Sequence, residues 1–368
     1  MIIIIDCKNL AIYSSGISGY FKPLLKSILE YFKNYKFILV APNKFDTSFI
    51  KEFDNWELKI ISKRKIGNDT LNNLLYDTWV YPNALKKIEA NFLISPYYDF
   101  IIPKKYKNRS IITVHDLCYW ELKESYSFKV RFYHQLLLNL NLSKARKVIT
   151  VSKASLEKIK NIFGQETYDK SVVIYNTFQF HKSEDLNTFE NTKNMTKTLL
   201  YTGGFEQRKN IDMLFSVLKD LKSEIDLKLI FTGNFKRSER LKKLIHENEL
   251  QNIVFLTGMV SAEELNKFYK ECDSVINISL CEGFGRSNLE AVMHDKPLVC
   301  SDIKVFHELV GDYAIYCNPF DKNSIKKAIK KSFNQNNDRM FKLEASRFDF
   351  ERNKGAFIRT IEEVLNEQ

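Results

Sequence analysis

A chain of 368 residues is long for one hydrophobic core and comfortable for two, and its 44% hydrophobic and 13% aromatic content excludes a disordered chain. The formal charge of +11 is concentrated: residues 101–160 hold thirteen Lys or Arg against four Asp or Glu, an excess of nine that points to an anionic partner or to a solvated basic face. No run approaches the roughly 18 consecutive apolar residues of a membrane span, the opening MIIIID lacks the basic leader and cleavage site of a signal peptide, and the six cysteines form no C-x-x-C pair, so a cytoplasmic protein without a structural metal is expected.

Along the chain, short β-branched or aromatic runs alternate with longer amphipathic stretches, the pattern of parallel sheets covered by helices. Strands are expected over 2–5, 37–40, 92–95, 111–114, 148–151 and 172–174, then over 199–202, 227–232, 253–255, 275–279, 298–301 and 314–317. Residues 176–197 are rich in Asn, Thr, Ser, Lys and Glu without apolar periodicity, as in an exposed connection between domains. The expected organisation is a Rossmann-like α/β domain over 1–175, a linker over 176–197, a second such domain over 198–345 and a terminal helix within 346–368. Nothing repeats at a fixed period, which excludes a solenoid.

Two strand-to-helix turns carry candidate chemistry. The first runs from Tyr201 to Asn210 and precedes a helical run over 211–221. Gly203 and Gly204 permit a tight turn with close ligand approach, Asn210 suits a helix N-cap, and Arg208 and Lys209 add two charges where the helix N-terminus already favours an anion. A diphosphate fits such a place; an ordinary turn with a solvated Arg-Lys pair is the alternative. The second turn runs from Ser279 to Ala291, with Gly283 and Gly285 in the loop and Glu282 and Glu290 eight positions apart. Glu290 suits a pair of ribose hydroxyls, as acids do in dinucleotide sites, but Ser287 to Glu290 also spells a capping box. Glu282 reads either as a ligand-facing carboxylate or as a solvated loop acid.

The segment Glu282-Gly-Phe-Gly-Arg-Ser-Asn-Leu-Glu290 resembles the E-x7-E signature of glycosyltransferase family 4, the retaining enzymes of GT-B fold. The likeness continues in order through Thr257 to Leu265, Lys296 to Asp302 and Glu308 to Gly311, and upstream through Gly203 to Asn210, Thr113 to Leu117, Val151 to Ser155 and Gly16 to Tyr20. The resemblance implies two Rossmann-like domains whose parallel sheets face across a cleft. It implies that Glu290 binds the donor ribose, that Arg208 and Lys209 hold the diphosphate with Gly203 and Gly204, and that Glu282 addresses the donor sugar with Gly283, Phe284 and Gly285. Asn288 and Leu289 belong to the same donor segment. His115 is implied as a cleft residue beside the transferred sugar, with Gly16 and Gly19 approaching from the acceptor side. The sequence also departs from the family: Gly204 stands at a common arginine position, and His294-Asp295 replaces a small residue plus glycine.

The same resemblance implies retaining transfer of a sugar from a UDP- or GDP-linked donor to a glycan or lipid-linked acceptor in cell-surface polysaccharide or lipopolysaccharide assembly. No cofactor or metal is expected, since the sequence shows no D-x-D pair. The basic segment 101–160 is expected to meet an anionic membrane surface at the cytoplasmic face rather than nucleic acid. A phosphorylase or epimerase shares the architecture, and a catalytically silent sugar-nucleotide or glycan-binding module of the same fold is the alternative from another class.

Overall fold

The structure, a computed structural model, describes residues 1–12, 16–63, 69–176, 196–235, 239–334 and 345–367. It divides into two compact units, Met1–Phe180 with Glu344–Gln368, and His181–Leu343. Most of the expected linker, residues 177–195, lies outside the described residues.

The first unit is built on seven strands: β1 (Ile2–Asp6), β2 (Lys36–Ala41), β3 (Trp56–Ile60), β4 (Phe92–Ser95), β5 (Ser110–Val114), β6 (Lys147–Thr150) and β7 (Ser171–Val173). They lie in the order β3-β2-β1-β4-β5-β6-β7, every neighbouring pair parallel. Parallel strands are covered on both faces and therefore read as unbroken apolar runs. In β1, Ile3 and Ile5 join the core that packs Phe21, Leu24 and Ile28, while Ile4 joins the opposite core with Tyr81 and Leu85. β3, an edge strand whose five positions are all half-buried or exposed, is absent from the expected strands; its residues Trp-Glu-Leu-Lys-Ile alternate apolar and polar and form no continuous apolar run.

The terminal helix, Phe350–Asn366, packs in this same unit. Its Phe357, Ile358, Ile361 and Val364 are buried against the helix Gly16–Tyr31 and β1, Asn353 Oδ1 accepts from the Tyr175 amide at 3.1 Å, and Tyr31 donates to Glu362 at 2.9 Å.

The second unit holds β8 (Lys197–Thr202), β9 (Leu227–Thr232), β10 (Val254–Gly258), β11 (Ser274–Asn277), β12 (Leu298–Ser301) and β13 (Ile315–Cys317), in the parallel order β10-β9-β8-β11-β12-β13. The helix expected over 211–221 is the observed Ile211–Leu221, with Ile211, Leu214, Phe215, Leu218 and Leu221 buried on the sheet. Both sheets thus have the doubly wound order in which chain direction across the sheet reverses once, between β1 and β4 in one unit and between β8 and β11 in the other. At such a reversal the two following connections leave on opposite faces, and a crevice opens beyond the strands' carboxyl ends.

All three tryptophans, Trp56, Trp79 and Trp120, belong to the first unit, so their fluorescence follows that unit alone. Phe357→Ala is expected to lower its unfolding free energy by about 3–5 kcal/mol, the usual cost of emptying a buried phenylalanine site. The check is tryptophan-detected urea denaturation, in which an unchanged midpoint would mean that the terminal helix does not stabilise the first unit.

Candidate functional site

In the second unit the two sequence-defined turns follow β8 and β11, the strands that flank the reversal of order. After β8 the chain passes Gly203 and Gly204, makes a short 3-10 turn over Gln207–Lys209 and enters the helix Ile211–Leu221. The phenol of the buried Tyr201 donates to the Gly204 carbonyl at 2.8 Å and pins the loop. Close backbone packing holds it from the other side. The Gly203 amide donates to Thr232 at 3.0 Å, and a Cβ on Gly233 would stand 1.9 Å from the Gly203 oxygen, so no other residue fits there. The sequence does not single out Gly233, because nothing local marks a glycine whose constraint comes from a neighbouring strand's loop.

Asn210 occupies the N-cap position but does not cap. It takes a left-handed conformation at φ 60°, and its amide reaches the Pro319 carbonyl at 2.7 Å. The expected capping role is corrected accordingly: the side chain ties the helix start to the loop beyond β13.

The loop after β11 is stitched to the first by a backbone bond from Leu280 to the Arg208 carbonyl at 2.8 Å. Glu282 then lies between the two cations, with Arg208 Nη1 at 2.9 Å and Lys209 Nζ at 2.5 Å. Arg208 Nη1 also donates to the Cys281 carbonyl at 3.4 Å. Glu282 is only 8% exposed. Neither the solvated acid nor the solvated basic pair describes these side chains. Burial by itself would push the Glu282 carboxyl up; the charges of Arg208 and Lys209, with hydrogen bonds from Lys209 and Ser279, outweigh it and hold the group at about 2.

The helix Arg286–Met293 opens at Gly285, which sits at φ 115° where a Cβ would lie 2.6 Å from the Phe306 ring. Its N-cap makes no side-chain hydrogen bond, so the capping box read from Ser287 to Glu290 does not form. Glu290 instead accepts from the Tyr269 phenol at 2.8 Å on one oxygen and from Arg286 Nε at 2.8 Å on the other. Tyr269 is itself 3.2 Å from the Thr202 hydroxyl at the end of β8 and stacks face to face on His294, with centroids 4.8 Å apart and planes 1° off parallel. His294 therefore replaces a small residue with a supporting ring, and Asp295 takes φ 50° in the position where glycine is usual. The sequence does not mark Tyr269 either, since it is one aromatic among many on an ordinary helix.

Gly283, Phe284 and Gly285 are buried in the loop. The side chains of Asn288 and Leu289 point into the unit. Asn288 accepts from Asn277 Nδ2 at 2.8 Å, and Asn277 in turn accepts from the Ser279 hydroxyl at 2.6 Å, so the pair braces the loop from beneath.

In the first unit His115 follows β5 and is 9% exposed. Its Nε2 lies 2.9 Å from the Pro96 carbonyl, an acceptor, so Nε2 carries the proton and Nδ1 is the bare nitrogen. Burial lowers the imidazole's affinity for a second proton, although the Pro96 contact and Asp116 oppose this. Asp116 does not orient the ring; it accepts from the Cys118 amide at 3.1 Å and shapes the next turn. Tyr20 meets the His115 ring edge-on at 5.3 Å. Gly16 and Gly19 lie in the first turn of the helix Gly16–Tyr31.

Lys8, at the carboxyl end of β1, belongs to no motif in the sequence, yet the fold gives it a defined setting. It is buried, with Asp77 at 2.5 Å and Asp99 at 3.1 Å. Burial would lower its pKa, and Asp99, Asp77 and Asp6 reverse that and raise it, while Asp99 itself is pushed up to about 6, chiefly by burial.

Against known proteins, residues 183–346 match the family described as glycosyl transferases group 1. The chain is 30% identical over 256 residues to the O-antigen chain mannosyltransferase RfbU of Salmonella typhimurium, covering 70% of this chain and 69% of that one. Among solved structures it is similar to a sucrose-phosphate synthase from Thermosynechococcus elongatus, with a TM-score of 0.75 at 15% identity and all of both chains covered. It is likewise similar to HepE of Anabaena in complex with UDP and glucose, with a TM-score of 0.70 at 17% identity over 99% of this chain and 100% of that one. At these identities the two structures speak for the fold, which is GT-B.

Glu282 supplies a pH prediction. A carboxyl held at about 2 when folded and near 4.3 when unfolded adds stability above the unfolded value, on the order of 3 kcal/mol, and loses it as pH falls through the folded one. Calorimetric midpoints of the parent and of Glu282→Gln should differ most above about pH 4.5 and converge towards about pH 2. A constant difference across that window would refute the ion pairs as described.

Proposed function

The chain belongs to the glycosyl transferases group 1 family and is a glycosyltransferase, and on that premise we propose that it is a retaining hexosyltransferase that uses a nucleoside-diphosphate sugar without a metal ion. The observation that carries this reading is the convergence of Arg208, Lys209 and Glu282 at the reversal point of the second sheet. Two cations and one carboxylate leave one net positive charge beside the uncapped start of the helix Arg286–Met293, which suits a diphosphate. During transfer the anomeric carbon–oxygen bond to the diphosphate breaks and the acceptor oxygen bonds the same face. The acceptor proton passes to the departing phosphate oxygen. Charge grows on the diphosphate where Arg208 and Lys209 already stand, so stabilisation requires no reorganisation at the moment of reaction.

Glu282 is ionised throughout the neutral range and therefore serves as a hydrogen-bond acceptor for sugar hydroxyls, not as a proton donor. For His115 the bare Nδ1 gives the same polarity: it accepts from a hydroxyl while Nε2–H stays on Pro96. Glu290, with each oxygen already fixed by one donor, keeps a lone pair on each for the two ribose hydroxyls. Gly203, Gly204 and the backbone of Gly283 to Gly285 let the donor approach closely.

The relative RfbU is a mannosyltransferase of the O-antigen chain, and HepE was solved with UDP and glucose. These favour a UDP- or GDP-linked hexose as donor and a glycan or lipid-linked acceptor in polysaccharide or lipopolysaccharide assembly. The site of action in this reading is the cytoplasmic face of the membrane, reached peripherally through the basic segment 101–160.

Thermal shift across UDP-, GDP- and ADP-sugars should single out one donor, since ligand at 100 times its Kd adds about 2.7 kcal/mol. With that donor, product formation should persist in EDTA and keep the donor's anomeric configuration by NMR; loss in EDTA or an inverted product would refute the metal-free or the retaining part. Tyr269→Phe removes the phenol that fixes Glu290 and should weaken donor binding about 5- to 30-fold, with Glu290→Gln weaker still. Titration calorimetry giving parental affinity for both variants would remove Glu290 from the donor site.

A further inference from the structure

The basic residues of 101–160 do not share one face. In a parallel sheet the segments that lead into strands and those that leave them lie at opposite ends of the strands. Lys104, Lys105, Lys107 and Arg109 lead into β5, and Lys144 and Arg146 lead into β6. Several are already engaged: Lys105 donates to the Ile88 carbonyl at 2.8 Å, Lys144 to that of Ile102 at 2.6 Å, and Arg146 pairs with Glu367. Lys123, Lys129 and Arg131 follow β5 beyond its carboxyl end, at and just before the start of the helix Phe128–Leu142.

That helix is apolar on both sides. Leu137, Leu138 and Leu142 are buried inward, yet Phe128, Phe132 and Leu136, spaced four apart on one outward stripe, are 70%, 56% and 40% exposed. Phe128 and Phe132 stack with centroids 6.1 Å apart, and the Arg131 guanidinium lies 5.9 Å from the Phe128 ring centre. Arg131 also donates to the Lys123 carbonyl at 3.1 Å, drawing the cations together. Tyr133 donates to Asp77 at 2.8 Å and fastens the inner side of the helix to the segment Tyr76–Val80. Large exposed aromatics grouped in this way are uncommon on a surface that faces only water.

We propose that this outward stripe is a membrane-docking face for an anionic bilayer, with Phe128, Phe132 and Leu136 entering the headgroup layer and Lys123, Lys129 and Arg131 pairing with anionic headgroups. The proposal rests on the reading of a membrane-held acceptor and narrows segment 101–160 to the carboxyl end of β5. The charges select the occupant. In a two-fold contact between copies the same three cations would face each other, with Glu124 as the neighbouring acid in the chain, whereas anionic headgroups neutralise all three. Among the described residues no helix is long and apolar enough to cross a membrane, and a helix lying flat with one apolar stripe is the geometry of interfacial attachment.

The test uses the full chain and vesicles of phosphatidylcholine alone or with about one-third phosphatidylglycerol, at low and high salt. The parent should sediment with the anionic vesicles and be released by salt, and the double variant Phe128→Ser/Phe132→Ser should lose about tenfold or more in partitioning. The triple variant Lys104→Gln/Lys107→Gln/Arg109→Gln, at the opposite end of β5, should bind like the parent. Parental binding by the phenylalanine variant, or equal losses in both variants, overturns the proposal. So does a parent dimer by light scattering that Phe132→Ser dissolves, since the stripe would then be a contact between copies. Thermal shift with the nucleotide sugar is run on the same samples: lost vesicle binding with donor binding intact sinks the docking face alone, while absent donor binding in the parent sinks the proposed function.

Discussion

Glu282, held between Arg208 and Lys209, is the contact that ties together the two loops of the second unit's candidate site. A buried carboxylate costs several kcal/mol unless opposite charge and hydrogen bonds offset it, and here two loops from adjacent strands supply both. The residues are 73 positions apart in sequence and meet because β8 and β11 are neighbours in the sheet. The ion pairs do more than join the loops. They hold an arginine and a lysine in place within the folded domain.

Close backbone approach makes that arrangement reachable. Gly233 is forced by the Gly203 carbonyl and Gly285 by the Phe306 ring, and in each case the obstacle belongs to a different strand-helix unit. Where the family pattern is broken, the structure substitutes a different device. Asp295 takes the left-handed turn at its own conformational cost, and His294 offsets some of it by stacking on Tyr269, the residue that orients Glu290.

The two sheets share one topology and put opposite chemistry at its reversal point. Beyond β8 and β11 the balance is cationic, and the groups keep part of their surface open, with Arg208 20% exposed at its side chain. Beyond β1 and β4 one ammonium, Lys8, is enclosed by Asp6, Asp77 and Asp99, an acid-rich knot that fastens the segment Tyr76–Val80 and the loop after β4 to the strand ends. The first arrangement suits anions; the second repels them and anchors loops that lead to His115 and the aromatic groups around it.

Amphipathic period and β-branched runs were sufficient for every strand but one, because most of the strands leave a continuous apolar run in the chain; β3, Trp-Glu-Leu-Lys-Ile, alternates apolar and polar residues instead. The glycines and charged residues of both turns were legible too, since strand, tight loop and helix follow in one short segment and the family pattern runs through them. What those residues touch was not. That Glu282 is buried and paired, that Glu290 is held by Tyr269 rather than by a cap, and that Asn210 reaches Pro319 all depend on partners 21 to 109 positions away. Local sequence determines which elements form; which side chains share a site is decided by sheet order, and sheet order is a property of the folded chain.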